Sequence, residues 1–145
     1  MNTRISLGVL AEIRGHLAAA YPNEGCGLLL GTRGPNGDVV VRRQLPVPNP
    51  LTADGAGRTR YLIRPEDFLT AERAARQDGL AVVGAYHSHP DVPAHPSVYD
   101  TEHAWPWCCY LIASVAGGDV CEERVWELRD DRSGFVEREL VVKES

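Results

Sequence analysis

The sequence is poor in the features that mark several protein classes. It has four cysteines and no C-x-x-C pair, which argues against a disulfide framework, a thiolate zinc knuckle and a thioredoxin-type site. No apolar run approaches the roughly 20 residues that a membrane-spanning helix needs. Acidic residues outnumber basic ones, with 20 Asp and Glu and 15 Lys and Arg, which gives a formal net charge of -5. A chain of this charge lacks the basic surface expected of a nucleic-acid-binding domain.

The residues that are present predict one globular domain over residues 1–145. Hydrophobic residues make up 43% of the chain and charged residues 24%, which is ordinary for a globular protein, and neither a repeat nor a linker interrupts the sequence. Residues 1–22 lack a secretory signal pattern, because Glu12, Arg14 and His16 interrupt the apolar stretch. We therefore expect a cytoplasmic protein with mostly reduced thiols, although one disulfide stays compatible with the sequence.

Hydrophobic periodicity predicts an α/β fold with a mixed β-sheet flanked by helices. Helices are predicted over residues 6–20, 65–79 and 97–105. Strands are predicted over residues 24–33, 38–47, 59–65, 80–89, 108–115, 119–131 and 134–144. Ser6 and Gly79 mark a helix start and a helix stop. The first two strands form a hairpin around the turn "GPNG", and residues 48–60 form a loop.

Two histidines lie two positions apart at the end of the predicted strand 80–89, in the sequence "HSHP". Residues two apart in a strand point to the same face, so His87 and His89 project together while Ser88 points away. Two imidazoles side by side supply half of the ligands of a tetrahedral zinc site. The pair alone is weak evidence, since surface histidines also occur two apart by chance.

A serine and an aspartate follow this pair. Ser97 and Asp100 lie three apart at a predicted helix start, so their side chains share a face. One interpretation is a capping arrangement, in which Ser97 bonds backbone N–H groups and Asp100 complements the helix dipole. The other interpretation makes Asp100 the third zinc ligand, with His95 and His103 as less favoured alternatives.

A catalytic zinc has three protein ligands and a water, and the water needs a base. Glu24 is the candidate, because it opens the otherwise apolar, glycine-rich stretch "EGCGLLLG". The alternative is a glutamate at an exposed strand edge. A cysteine protease built on Cys26 and His87 would explain neither His89 nor Asp100, so packing is the expected role of Cys26.

"EGCGLLLG" followed downstream by "HSHPDVPAHPSVYD" resembles the signature of the JAMM/MPN zinc metalloproteases, which is a glutamate, H-x-H-P, a spacer of six residues and S-x-x-D. The resemblance implies the cytidine deaminase-like JAMM/MPN fold. It also implies one zinc per chain, ligated by His87, His89 and Asp100. In that family pattern Glu24 is the acid/base, and Ser97 polarises the carbonyl or holds the oxyanion.

Short stand-alone members of this family imply two substrate classes. One group trims the C-terminus of small ubiquitin-like sulfur-carrier proteins, and the other cuts isopeptide bonds to ubiquitin-like modifiers. Both bind a tail ending in Gly-Gly, for which β-strand addition is the natural mode, and residues 48–60 are long enough to act as a substrate flap. We expect the carrier-tail peptidase, with the lysine isopeptidase as the alternative.

Two further classes compete with a peptidase. One is a zinc-dependent small-molecule amidohydrolase or deaminase, and the deaminase version is disfavoured because the H-x-E and P-C-x-x-C signature is absent. A non-catalytic MPN interaction module is disfavoured because inactive members of the family lack ligands that are all present here. No nucleic-acid or membrane partner is expected, and the sequence leaves a homodimer open.

Overall fold

Seven β-strands and three α-helices make up the fold in the computed structural model, which describes residues 1–144. The strands are β1 (Asn2–Ser6), β2 (Cys26–Arg33), β3 (Val39–Val47), β4 (Ala81–Pro90), β5 (Cys109–Ala116), β6 (Asp119–Leu128) and β7 (Phe135–Lys143). The helices are α1 (Leu7–Ala20), α2 (Pro65–Gln77) and α3 (Val98–His103). A single 3₁₀ turn, Pro50–Thr52, lies in the loop after β3.

The strands form one closed sheet in the order β1-β3-β2-β4-β5-β6-β7, and β7 pairs with β1. β1 runs parallel to both β3 and β7, and β4 runs parallel to β5. The other neighbours are antiparallel, including the predicted β2–β3 hairpin. The mixed sheet with flanking helices is therefore confirmed, while its closure through β1 goes beyond the sequence prediction.

One face of the sheet is covered by α1. Leu10, Ile13 and Leu17 form a stripe at helical spacing and are fully buried against the sheet. Ser6 caps the start of the helix, because its Oγ accepts the Val9 N–H at 3.1 Å. The helix predicted over residues 6–20 is confirmed, beginning one residue later.

The other face is covered by α2. Its buried residues Ala71 and Ala75 are small and pack in the core on that side. Side chains alternate along β2, so Leu29 enters the core under α1 while Leu28 and Leu30 enter the core under α2. Because both faces are covered, β2 carries a continuous apolar run instead of an alternating pattern.

The strand predicted over residues 59–65 is wrong. Residues 59–64 form turns and irregular chain, and side chains bind main-chain groups there: Asn49 Nδ2 donates to the Arg60 carbonyl at 3.0 Å, and Tyr99 Oη donates to the Tyr61 carbonyl at 2.9 Å. The Tyr61 ring stacks on His87, with ring centroids 4.3 Å apart. Contacts with the histidine and α3 therefore hold this segment outside the sheet.

All four cysteines are free thiols, so the disulfide alternative is not realised in residues 1–144. Cys26 packs in the core under α2, as expected. Cys108 and Cys109 are buried in opposite cores. No helix in the described part of the chain is long and apolar enough to cross a membrane.

Candidate metal centre

His87 and His89 lie at the carboxyl end of β4, which runs between β2 and β5. Only 1% and 5% of their surfaces are exposed, and their Nε2 atoms stand 3.3 Å apart. His89 Nδ1 donates to the Pro93 carbonyl at 2.9 Å, which leaves the Nε2 lone pair available to a metal. Burial lowers the pKa of His87 and so favours the neutral ring that binds metal.

Asp100 reaches the same point from α3. Its N–H donates to Ser97 Oγ at 3.0 Å, and its Oδ2 accepts the Ser97 N–H at 2.9 Å, which completes a capping box. The same Oδ2 lies 3.2 Å from His87 Nε2 and 3.0 Å from His89 Nε2. One geometry therefore accommodates both interpretations of Asp100, as a helix cap and as a metal ligand.

The three candidate ligand atoms form a triangle with sides of 3.0, 3.2 and 3.3 Å. Ligand atoms at about 2.0–2.2 Å from a tetrahedral zinc stand about 3.3–3.6 Å apart, so a small outward displacement would match one face of that tetrahedron. Burial opposes ionisation of Asp100, but the histidines and the Ser97 N–H hold the pKa of its carboxyl far below the usual range. Two imidazoles and an ionised carboxylate are a donor set that fits catalytic zinc.

Glu24 lies close to β2, and its main chain is held on two sides. Its N–H donates to the Gly57 carbonyl at 2.6 Å, and Asn49 Nδ2 donates to its carbonyl at 3.1 Å. The side chain is buried, not exposed at a strand edge, and its Oε1 has no hydrogen-bond partner in residues 1–144. Burial raises the pKa of Glu24 to about 8, with His89 opposing the shift and Asp100 adding to it. A carboxyl in that range can exchange a proton near neutral pH.

Ser97 lines a cleft of about 490 Å³ together with Glu24 and His89. Because Ser97 Oγ accepts the Asp100 N–H, its own hydroxyl hydrogen remains available to a group in the cleft. The structure thus brings together at one end of β4 all five residues that the sequence singled out.

The two alternative histidines lie outside the ligand cluster described for residues 1–144. The His95 ring packs beside Trp126, with centroids 5.4 Å apart, and His103 stacks on Tyr99 at 4.0 Å. His103 Nδ1 also donates to the Tyr99 carbonyl at 2.8 Å. Neither imidazole stands in the place that Asp100 occupies.

Sequence reasoning misses three residues that support the site. Ser88 Oγ accepts the Gly25 N–H at 2.9 Å, and the Ser88 N–H donates to the Gly25 carbonyl at 3.1 Å, so Ser88 fixes the neighbour of Glu24. The sequence feature that could have identified Ser88 is its position between two histidines on a buried strand. Asn49 and Tyr61 hold the site from the loop after β3, where no local pattern marks them.

An aromatic pocket adjoins the site on the side of Asp100. Phe68 packs edge to face on Trp105, with centroids 4.8 Å apart, and Tyr110 Oη accepts the Trp105 N–H at 2.8 Å. The segment around residues 61–63 forms another wall. The candidate metal centre is therefore flanked by this apolar pocket and by the more polar cleft that holds Glu24.

The model of the Prok-JAB family, the prokaryotic homologs of the JAB domain, matches residues 6–129. The chain belongs to this family. The matched span contains the candidate ligands, Glu24 and Ser97, so the JAB-family region and the site coincide.

Two protein relatives are similar to this JAB-family chain over most of its length. The probable TtuB-protein conjugate cleaving protease of Thermus thermophilus is 41% identical over 76% of this chain and 68% of that protein. The desampylase of Haloferax volcanii is 34% identical over 80% of this chain and 84% of that protein. Membership in this family, together with these relatives, makes the chain a hydrolase.

Solved structures agree with the family assignment. A protein from Desulfitobacterium hafniense superposes with a TM-score of 0.84 and 31% identity, over 99% of this chain and 94% of that chain. A JAB1/MPN domain protein from Archaeoglobus fulgidus superposes with a TM-score of 0.57 and 22% identity, over 95% of this chain and 98% of that chain. The second likeness bears on the fold alone, and the predicted JAMM/MPN fold is confirmed.

Proposed function

We propose that this JAB-family chain, as one domain over residues 1–145, is a zinc-dependent metallopeptidase. The observation that carries the proposal is the convergence of His87 Nε2, His89 Nε2 and Asp100 Oδ2, each within 3.3 Å of the others. In the proposal these residues hold one zinc ion per chain. A non-catalytic interaction module would have no use for Glu24, whose carboxyl is buried beside the cluster with a raised pKa.

Zinc bound here would supply a polarised carbonyl and a more acidic water. A cation held by the neighbouring ligands would favour the ionised form of Glu24, and in that form Glu24 would accept a proton from the attacking water and pass it to the nitrogen of the leaving amine. Ser97 donates its hydroxyl hydrogen to the carbonyl oxygen, where negative charge develops. Hydrolysis then yields a carboxylate and an amine, with no covalent bond between substrate and enzyme.

The proposed substrate is a small ubiquitin-like sulfur-carrier protein, cut after a C-terminal Gly-Gly. Leu62 and Ile63 make no backbone–backbone hydrogen bond within residues 1–144, so this segment offers free main-chain groups to an extended tail. The segment lines the same pocket as Asp100. A tail paired there would bring its last residues to the ligands, and glycines would avoid a clash with the aromatic walls.

Removal of a ubiquitin-like modifier from lysine is the second candidate function. The names of the two relatives, a TtuB-protein conjugate cleaving protease and a desampylase, favour cleavage of ubiquitin-like conjugates. Both reactions use the same proposed zinc ligands, Glu24 and Ser97. They differ in the amine that leaves, which is a C-terminal residue in one case and a lysine side chain in the other.

Mass spectrometry of a ubiquitin-like carrier extended beyond Gly-Gly tests the proposal. The zinc-loaded wild-type protein should release the extension, while Glu24→Gln should keep zinc and lose about 10²–10⁴-fold in rate. Glu72→Gln, on the exposed side of α2, is the matched control. Wild-type turnover in Glu24→Gln would remove Glu24 from the mechanism. Equal cleavage of unstructured peptides would leave a general zinc peptidase without carrier specificity.

A further inference from the structure

An arginine without a partner stands in the cleft that contains Glu24. Arg58 lines this cleft with Glu24 and Ser97. Two other arginines, Arg43 and Arg60, are engaged, since Arg43 pairs with Asp78 and Arg60 lies over the Tyr99 ring at 5.3 Å; what sets Arg58 apart is its place in the cleft. The Arg58 side chain makes no hydrogen bond or ion pair with another residue in the part of the chain described, residues 1–144. Its charge is therefore available to a group that enters the cleft.

The main chain next to Arg58 is tightly held. The Gly57 carbonyl accepts the Glu24 N–H at 2.6 Å, and Gly57 is buried so closely that a Cβ there would stand 2.8 Å from Thr52 Cα. The base of the Arg58 side chain is thus fixed relative to Glu24. A fixed base keeps the guanidinium within reach of the cleft that Glu24 lines.

A nearby carboxylate does not occupy Arg58. Asp91 lies close enough for the charge of Arg58 to contribute to the lowered pKa of its carboxyl, although its hydrogen bonds dominate that shift. Asp91 nevertheless forms no ion pair with Arg58 in residues 1–144; its Oδ2 accepts the Tyr21 hydroxyl at 2.7 Å and its Oδ1 accepts the Gly117 N–H at 3.0 Å. Arg58 keeps its planar set of donors for another anion.

The chemistry of the leaving group identifies that anion. Glu24 protonates the leaving nitrogen, so the leaving residue lies in the cleft that Glu24 shares with Arg58. If the leaving residue is the last of its chain, its α-carboxylate is joined to the same Cα as the nitrogen. If the leaving residue is a lysine of another protein, four methylenes separate its nitrogen from an uncharged main chain, and no carboxylate lies close to the nitrogen. A guanidinium matches the first case, because it binds carboxylates through two parallel hydrogen bonds.

We propose that Arg58 binds the α-carboxylate of the C-terminal residue that the enzyme releases. This inference rests on the proposed peptidase function and deepens it. It implies that the enzyme prefers the peptide bond before a free C-terminal residue to the isopeptide bond of a lysine side chain. Arg58 takes no part in bond making. Water still adds across the amide, and Arg58 sets which leaving residue is favoured.

A pair of substrates that differ in one charge tests this role. The probe is a ubiquitin-like carrier ending in Gly-Gly and extended by one alanine, prepared with a C-terminal carboxylate or a C-terminal carboxamide. Wild-type kcat/KM should be about tenfold higher for the carboxylate substrate, mostly through a lower KM. The reason is that a hydrogen bond between two charged groups contributes about a tenfold change in affinity. Arg58→Gln should bring the two substrates within about twofold of each other. Arg73→Gln, exposed on α2, should keep the wild-type preference.

The outcomes separate this inference from the function on which it rests. Equal cleavage of both carriers by the wild type, or an unchanged preference in Arg58→Gln, would refute the role of Arg58 while leaving the peptidase intact. Failure of the wild type to cleave either carrier would overturn the peptidase function and this inference with it. A third carrier, joined through its last glycine to a lysine side chain, should be the poorer substrate of the wild type and should be insensitive to Arg58→Gln.

Discussion

Replacing Glu24 by glutamine should stabilise the metal-free protein while it abolishes activity. Glu24 is 5% exposed as a whole residue, and its Oε1 is buried with no hydrogen-bond partner in residues 1–144. Ionising a buried carboxyl without compensation is costly, which is why burial raises its pKa from 4.5 to about 8. Glutamine has a similar shape and no charge to desolvate. The variant therefore removes this cost and keeps the packing.

The direction of the pH dependence follows from this shift. Between pH 4.5 and about 8 the unfolded chain loses the Glu24 proton while the folded protein keeps it. The contribution of Glu24 to stability is thus fully present below pH 4.5 and is lost as pH rises through about 8. Each pKa unit corresponds to about 1.36 kcal/mol, so a rise from 4.5 to about 8 makes the whole loss about 5 kcal/mol. Glu24→Gln should gain that amount over the wild type as the pH is raised.

Urea unfolding of chelator-treated protein measures the effect. The free energies of unfolding of wild type and Glu24→Gln should agree to within a few tenths of a kcal/mol near pH 4 and differ by a few kcal/mol near pH 9. The contributions of His87, His89 and Asp100 are present in both proteins, so the comparison isolates Glu24. Glu72→Gln, exposed on α2, should have the same free energy of unfolding as the wild type at both pH values. A difference that does not change with pH would refute the argument from burial.

Three further predictions concern the metal, a supporting serine and the substrate. The His87→Ala/His89→Ala variant should lose zinc by elemental analysis, and retention of a full equivalent would show that the ligands lie elsewhere. Ser88→Ala removes the acceptor of the Gly25 N–H, so it should lower the free energy of unfolding in urea by about 1–3 kcal/mol. It should also lower kcat without changing the zinc content. An unchanged kcat would limit Ser88 to a structural role. Valine in place of the last glycine of a carrier tail should stop cleavage in the mass-spectrometric assay without affecting zinc, and equal cleavage of the valine form would exclude recognition of Gly-Gly.

The clustering of the candidate ligands could be predicted because it depends on short-range geometry. His87 and His89 share a face of one strand, and Ser97 and Asp100 share the first turn of one helix. The capping box that competes with ligation in the sequence also orients Asp100 toward the histidines. Local periodicity therefore locates these residues without knowledge of the whole fold.

The prediction of Glu24 required more information than the local sequence pattern supplies. It reaches the site because β2 pairs antiparallel with β4, in a register that places Cys26 opposite His87. That register is a long-range property, and the resemblance to a family signature was needed to single out this glutamate. Nothing near Asn49 in the sequence shows that its amide holds the Glu24 carbonyl.

The sequence prediction failed where distant contacts override local preference. β1 is only five residues long, and it forms because it fits between β3 and β7 and closes the sheet. The segment 59–65 has the apolar content of a strand, yet Tyr61 stacks on His87 and its carbonyl is bound by Tyr99. Strand propensity is a weak guide when such contacts compete with it.

The interactions that shape this end of the fold also set its chemistry. Gly57 and Asn49 hold the Glu24 main chain, and Ser88 holds the next residue, so the backbone that carries the Glu24 side chain is fixed beside the candidate ligands. The restraint keeps Glu24 buried, and burial raises its pKa into the range useful for proton transfer. The same burial destabilises the metal-free fold progressively as the pH rises from 4.5 to about 8. A divalent cation on the neighbouring candidate ligands would offset that penalty by binding the folded state alone, so the proposed catalytic role of Glu24 and the stability of the metal-free fold depend on the same carboxyl group.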